Sequence, residues 1–206
     1  MSRRSSRPNR PRPPHHGGAH VARQNQHDQT GASPASLSED GLYRLTDSKP
    51  TPFFLILDGI QDPHNLGACL RSADGAGVDA IITPKNKAAK ITDTVRRIAC
   101  GAASHVPVVN VANLARCMNT LREEHFVRIV GTSDQATTDL YQTELTGPLA
   151  IALGAEESGL RQLTTGNCDE LIRIPMLGHV ECLNVSAATA ICLFEAVRQR
   201  HSKGNS

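Results

Sequence analysis

From Pro52 onward the chain alternates short apolar runs with stretches of helical period. The run FFLILD at 53–58 is apolar almost throughout and predicts a buried strand. Asp62 then stands as a helix N-cap with Pro63 at the first helical position, predicting a helix to about Ala76. Its apolar stripe is Leu66, Cys69, Leu70, Ala73 and Ala76. A strand over Asp79–Ile82, a helix over Thr92–Gly101 and a strand over Val106–Val109 follow. Next come a helix from Asn113 to about Glu123 and a strand over Phe126–Val130. LAIALG at 149–154 predicts another buried strand, with a short helix near Leu160–Thr165 and a strand over Leu171–Ile174. The last element is a helix over Asn184–Arg200, apolar on most sides and therefore expected to be largely buried. Its Arg198, Arg200 and His201 suit the negative end of a helix dipole. Apolar strands alternating with helices predict an α/β fold, a mostly parallel sheet with helices on both faces, in one domain over residues 50–202.

Residues 1–45 break this pattern. They are rich in Arg, Pro, His, Ser, Gln and Asn, and they bury too little apolar surface to offset the entropy of ordering, so a disordered tail is expected. Residues 1–27 hold six arginines and no acid, whereas the remaining 16 basic residues face all 20 acids. A basic arm is thus joined to a mildly acidic body. Such an arm is either a phosphate-contacting extension or a solubilising one. The longest apolar runs are strand-sized, so no span of a bilayer is expected, and the N-terminus lacks the apolar stretch of a secretory signal. Six cysteines stand singly without a C-x-x-C, which argues against a disulfide framework or a structural metal and for a reduced, cytoplasmic protein.

In open parallel sheets ligands bind beyond the C-terminal strand ends, so the loops there hold the candidate chemistry. Familiar nucleotide motifs fail. Gly154 and Gly159 have the glycine spacing of a phosphate loop, but Leu160 and Arg161 replace the lysine and hydroxyl that would reach phosphate and magnesium. No G-x-S-x-G elbow and no zinc-ligand spacing occurs. What remains is a set of polar loop residues: Asn65 and Arg71, Glu156 and Glu157, Asn184 and Ser186. Each also has a bland reading. Asn65 is a first-turn residue, Asn184 and Ser186 can cap the last helix, and Arg71 can be a surface charge.

The segments DPHNLGACLRSADGAGVDAII, LGAEESGL and IPMLGHVECLNVSAATAICLFEAVRQR, in that order, resemble the three motifs of the SpoU (TrmH-like) RNA ribose 2′-O-methyltransferases. The similarity runs from about Phe53 to His201 and is greatest to the bacterial enzymes acting on a guanosine ribose of 23S ribosomal RNA. The resemblance implies a C-terminal trefoil knot, S-adenosyl-L-methionine as cofactor, an rRNA or alternatively tRNA partner, and a homodimer whose site is completed by the second chain. It further implies that Gly154, Ile174, Leu183 and Thr132 bind the cofactor, and that Asn65, Arg71, Glu156 and Asn184 are catalytic. Close relatives carry a folded N-terminal RNA-binding domain, in whose place the Arg/Pro-rich tail is expected here. Two residues depart from the pattern: Cys182 where serine is usual, and Glu157 where glycine is usual.

The implied reaction is in-line attack of a ribose 2′-oxygen on a sulfonium methyl, in which the protein aligns the oxygen and helps remove its proton. A guanidinium is always protonated, so Arg71 is better suited to binding the target phosphate than to acting as a base. On an ideal helix Asn65 and Arg71 lie about 240° apart, at 100° per residue, and cannot share a face unless the first turn is distorted. The alternative from another class is a catalytically silent RNA-binding paralogue that acts in ribosome assembly.

Overall fold

The structure, a computed structural model, describes residues 37–156 and 158–203. The tail expectation for residues 1–36, and Glu157, lie outside the described residues. The helices are α1 (Glu39–Asp47), α2 (Pro63–Gly75), α3 (Asp93–Ile98), α4 (Leu114–Glu123), α5 (Gln162–Thr165) and α6 (Val185–Lys203). The strands are β1 (Phe53–Asp58), β2 (Ala80–Pro84), β3 (Val108–Val111), β4 (Arg128–Thr132), β5 (Thr138–Asp139), β6 (Leu149–Gly154) and β7 (Glu170–Arg173). They form one seven-stranded sheet in the order β3-β2-β1-β6-β4-β7-β5. Every paired neighbour is parallel.

The run FFLILD is apolar at successive positions because side chains alternate between two covered faces. Phe53, Leu55 and Leu57 pack with Leu66, Cys69, Leu70 and Ala73 of α2, Val95 of α3, and Cys192, Leu193 and Ala196 of α6. Phe54 and Ile56 pack on the other face with Leu42 of α1 and with Cys117, Met118 and Leu121 of α4. The parallel α/β expectation is therefore met, with α2, α3 and α6 on one side and α1 and α4 on the other. Helices α2 and α3 meet closely at Gly67, where a Cβ would stand 2.7 Å from Cβ of Ile98.

Several boundaries differ from the sequence reading. The tail expected over 1–45 is overtaken by α1, which begins at Glu39 and buries Leu42 completely. Its N-cap Ser38 accepts a hydrogen bond from the Gly41 amide at 3.1 Å. The signal is faint because the helix is short and little beyond Leu42 is apolar and fully covered. The fourth strand starts at Arg128 instead of Phe126, because Phe126 adopts φ 54°, a left-handed conformation no strand contains. The third starts at Val108, since the preceding backbone is still turning: the Val106 amide donates to the carbonyl of Ala102 at 2.9 Å. The helix expected over Thr92–Gly101 stops at Ile98, where Cys100 (φ 51°) and Gly101 (φ 95°) turn left-handed. The two-residue β5 has no counterpart in the sequence pattern; it is too short to show a period. Finally, α6 is not buried all round, for Phe194 is half exposed.

Candidate functional site

Because the strands are parallel, Asp58 of β1, Gly154 of β6 and Thr132 of β4 reach the same edge of the sheet. There Thr132 pairs with Ile172 of β7. A cavity of about 580 Å³ opens at this edge, within the size range of small-molecule sites. All four residues assigned to cofactor binding, Gly154, Ile174, Leu183 and Thr132, line it. Leu153, Leu160, Met176 and Val185 add apolar wall, and the carboxylates of Asp134, Glu156 and Glu181 add negative charge. Backbone of the strand ends and apolar side chains make a slot suited to a flat heterocycle, while the carboxylates suit a cationic group. These residues fit S-adenosylmethionine.

Glycine is required at 154 for a reason beyond the cavity. A Cβ there would fall 1.9 Å from the carbonyl carbon of Gly159 and 2.2 Å from the amide of Leu160. The backbone therefore doubles back on itself in contact, and the turn is closed by a 2.8 Å bond from the Gly159 amide to the Ala155 carbonyl.

Glu156, in that turn, gathers the other polar residues. Its Oε1 accepts from Asn65 Nδ2 at 3.3 Å, from the Val185 amide at 3.2 Å and from Asn184 Nδ2. Asn184 Nδ2 also donates to Asn65 Oδ1 at 3.0 Å. The first amide of α6 thus points at a carboxylate, the arrangement favoured by the free N–H groups and dipole of a helix start. Asn184 caps α6 as well: its Oδ1 accepts from the Ser186 amide at 3.0 Å and from Ser186 Oγ at 2.6 Å. The capping expectation is met through Oδ1, while Nδ2 of the same side chain is the atom that joins the cluster.

Arg71 does not join this cluster. Its side chain is exposed and makes no ion pair or hydrogen bond among the described residues. Helix α2 starts regularly, with Asp62 as N-cap accepting from the His64 amide at 2.9 Å, so the distorted turn needed to bring Asn65 and Arg71 together is absent. Cys182 is exposed and lines the cavity, which places a thiol where the family's serine would stand.

One pair escapes the sequence reading. The carboxylate of Asp58 is fully buried at the end of β1 and holds Arg161, accepting from its Nε at 2.7 Å and from its backbone amide at 3.0 Å. It anchors the far end of the 155–161 turn to the sheet. The signal in the sequence is an acid closing an otherwise apolar strand, paired with the arginine that spoils the phosphate-loop pattern.

A parallel α/β domain with a cofactor-sized cavity and a polar cluster at its C-terminal strand ends has the form of a protein that binds a nucleotide-like ligand there. Residues 52–194 match the model of the SpoU rRNA Methylase family, and the chain belongs to that family. It is 54% identical over 167 residues to a 23S rRNA (guanosine-2′-O-)-methyltransferase RlmB from Haemophilus ducreyi, covering 81% of this chain and 68% of that protein. It is 58% identical over 162 residues to the Escherichia coli protein of the same name, covering 79% of this chain and 66% of the relative. The chain therefore spans about two thirds of the length of these relatives. Among solved structures, the SpoU methyltransferase AviRb from Streptomyces viridochromogenes in complex with AdoMet superposes with a TM-score of 0.70 at 28% identity, covering 75% of this chain and 62% of that one. The A. aeolicus TrmH/SpoU tRNA modifying enzyme superposes with a TM-score of 0.67 at 29% identity, covering 81% and 85%. No helix among the described residues is long and apolar enough to cross a membrane.

Proposed function

We propose that the chain transfers a methyl group from S-adenosylmethionine to a ribose 2′-hydroxyl, with a guanosine of 23S rRNA as the target and the bacterial cytoplasm as the place of action. The observation that carries this reading is the double role of Glu156, whose carboxylate lines the cavity and also holds Asn65 and Asn184. When bound, the cofactor supplies an electrophilic methyl on a sulfonium.

The chain's own residues do the rest. Gly154, Ile174, Leu183 and Thr132 hold the cofactor through backbone and apolar contact. The three donors to Glu156 converge on Oε1, which leaves Oε2 to accept a hydrogen bond from the ribose hydroxyl and then its proton. Asn65 and Asn184 fix that carboxylate by direct hydrogen bonds, and this positioning is the larger part of the rate gain. Arg71 binds the phosphate of the target nucleotide with its fork of N–H donors.

Arg71 is exposed and makes no hydrogen bond or ion pair with the cluster of its own chain, so a homodimer supplies it: the arginine of one copy completes the site of the other. Half-exposed Phe194 of α6, beside Gly75 of α2, supports an interface on this side. The trefoil threading belongs to the same reading and is supported by the match to the SpoU family over residues 52–194. The test is calorimetry of the full chain with S-adenosylmethionine, followed by methyl transfer to transcribed 23S rRNA. Heat of binding and a mapped 2′-O-methylguanosine are expected; absence of cofactor binding would end the enzyme reading in favour of a silent RNA-binding protein. Transfer to tRNA alone would move the substrate.

A further inference from the structure

The body of this protein is mildly acidic, but its charge is unevenly placed. Residues 123–170 hold nine acids against two basic residues. Residues 85–97 hold five basic residues, Lys85, Lys87, Lys90, Arg96 and Arg97, against the single acid Asp93. Arg96 leans toward Asp93 at 4.0 Å. The side chains of the other four are exposed and make no hydrogen bond or ion pair among the described residues.

The four cations do not hang on a loose loop. The Lys85 amide donates to the Val111 carbonyl at 2.8 Å, and the Ala89 amide donates to the Ile60 carbonyl at 2.8 Å. Lys87 between these two pins is held in a left-handed conformation at φ 59°, one that a non-glycine residue adopts at a cost and only when its surroundings impose it. The segment follows β2, whose neighbour β1 also pairs with β6. All three are parallel, so the 85–90 loop leaves the same sheet edge as the Glu156 turn, two strand spacings or about 10 Å to one side. From there α3 runs along α2 and meets it at Gly67. Gly67 and Arg71 are one helical turn apart on the same face of α2, so Arg71 stands at the end of the strip.

A solvated surface tolerates scattered lysines at no cost, but four unpaired cations fixed on one edge of an acidic body fit a polyanion. We propose that Lys85, Lys87, Lys90 and Arg97 form a ridge that contacts the sugar-phosphate backbone of the substrate RNA beside the target nucleotide. The ridge reads charge, not base sequence, and it positions the strand so that the target phosphate reaches Arg71. This inference rests on the RNA reading of the site given above.

The experiment measures binding of transcribed 23S rRNA to the full chain as a function of salt. Removing one cation from a phosphate lowers the slope of log K against log salt by about 0.7 for single-stranded RNA. K85Q/K87Q is therefore expected to lower the slope by about 1.4 and K85Q/K87Q/K90Q/R97Q by nearly 3. The charge-matched control R44Q/R116Q, on the opposite face of the sheet, is expected to leave it unchanged. Cofactor affinity and melting temperature of the ridge variants should match the wild type, with KM for RNA raised and kcat retained. An equal slope for K85Q/K87Q and the wild type, or an equal drop in the control, would overturn the ridge. Failure of the function reading is distinct: it appears in the wild type itself as absent cofactor binding and absent methyl transfer, while the salt slopes remain measurable.

Discussion

Glu156 is exposed to two demands at once, since one oxygen takes three donors and the same side chain forms cavity wall. Replacing Asn184 by Ala removes one donor to that oxygen and the cap of α6. A fall in kcat of about 10²-fold is expected from misplaced reacting groups, with the melting temperature lowered by removal of the cap, worth about 1 kcal/mol. Single-turnover methylation and thermal denaturation together check it; unchanged turnover would release Asn184 from the site. The buried Asp58 carboxylate offers a second residue-scale outcome. Asp58→Ala removes the acceptor for the Arg161 amide and for its half-exposed guanidinium, and losing a hydrogen bond to a charged group costs about 1.5–3 kcal/mol. Chemical denaturation measures this directly. The thiols give a third. Burial pushes Cys69 and Cys117 up to about 11 and Cys168 and Cys192 up to about 12, and a thiol that stays protonated does not react with alkylating agents. At pH 8 iodoacetamide should modify the exposed Cys100 and Cys182 well ahead of the other four. Saturating S-adenosylmethionine should protect Cys182 alone, because only that one of the pair lines the cavity. Peptide mass spectrometry reads both.

Helix α1 shows what can hide from a reading based on period. Its Leu42 is completely buried beneath the sheet, and Tyr43 stacks on His125 with ring centroids 5.1 Å apart. Composition assigns residues 1–45 to a tail because Arg, Pro and polar residues dominate the stretch as a whole. The helix is specified by one cap and by Leu42 with Leu37, Tyr43 and Leu45 packed beside it, a signal too local for composition to register. Leu42→Ala is expected to cost about 2–5 kcal/mol, measured as a shift in the denaturation midpoint at constant slope. A neutral result would return α1 to the tail. The turn after β6 is the opposite case: G-A-E-E-S-G is legible as special, but the reason Gly154 cannot carry a side chain lies in the backbone of Gly159 that crosses it.

At the scale of the whole molecule, the cluster and the arginine occupy different sides of α2. The reading that a second copy supplies Arg71 makes a sharp expectation. Arg71→Ala and Asn184→Ala should each be strongly impaired alone, yet a refolded mixture should exceed either one, since a mixed pair contains one complete site. No recovery in a mixture shown by native mass spectrometry to contain mixed pairs would overturn the supply of the arginine by the second copy. On the same reading Phe194→Glu should separate the copies in analytical ultracentrifugation, because it replaces an apolar, half-exposed side chain of α6 by a charge.

The chain by itself determined the layered parallel sheet, since strands apolar at every position can only be covered on both faces. It also determined the inventory of polar residues at strand ends, since motif spacing survives without coordinates. The assembly of that inventory was decided only by the fold. Residues 65, 156 and 184 are far apart along the chain and meet because β1 and β6 are neighbours and α6 starts over the turn between them. Helical geometry alone sets Asn65 and Arg71 at odds. Whether a second chain resolves that conflict depends on surfaces, and surfaces exist only once the backbone has closed.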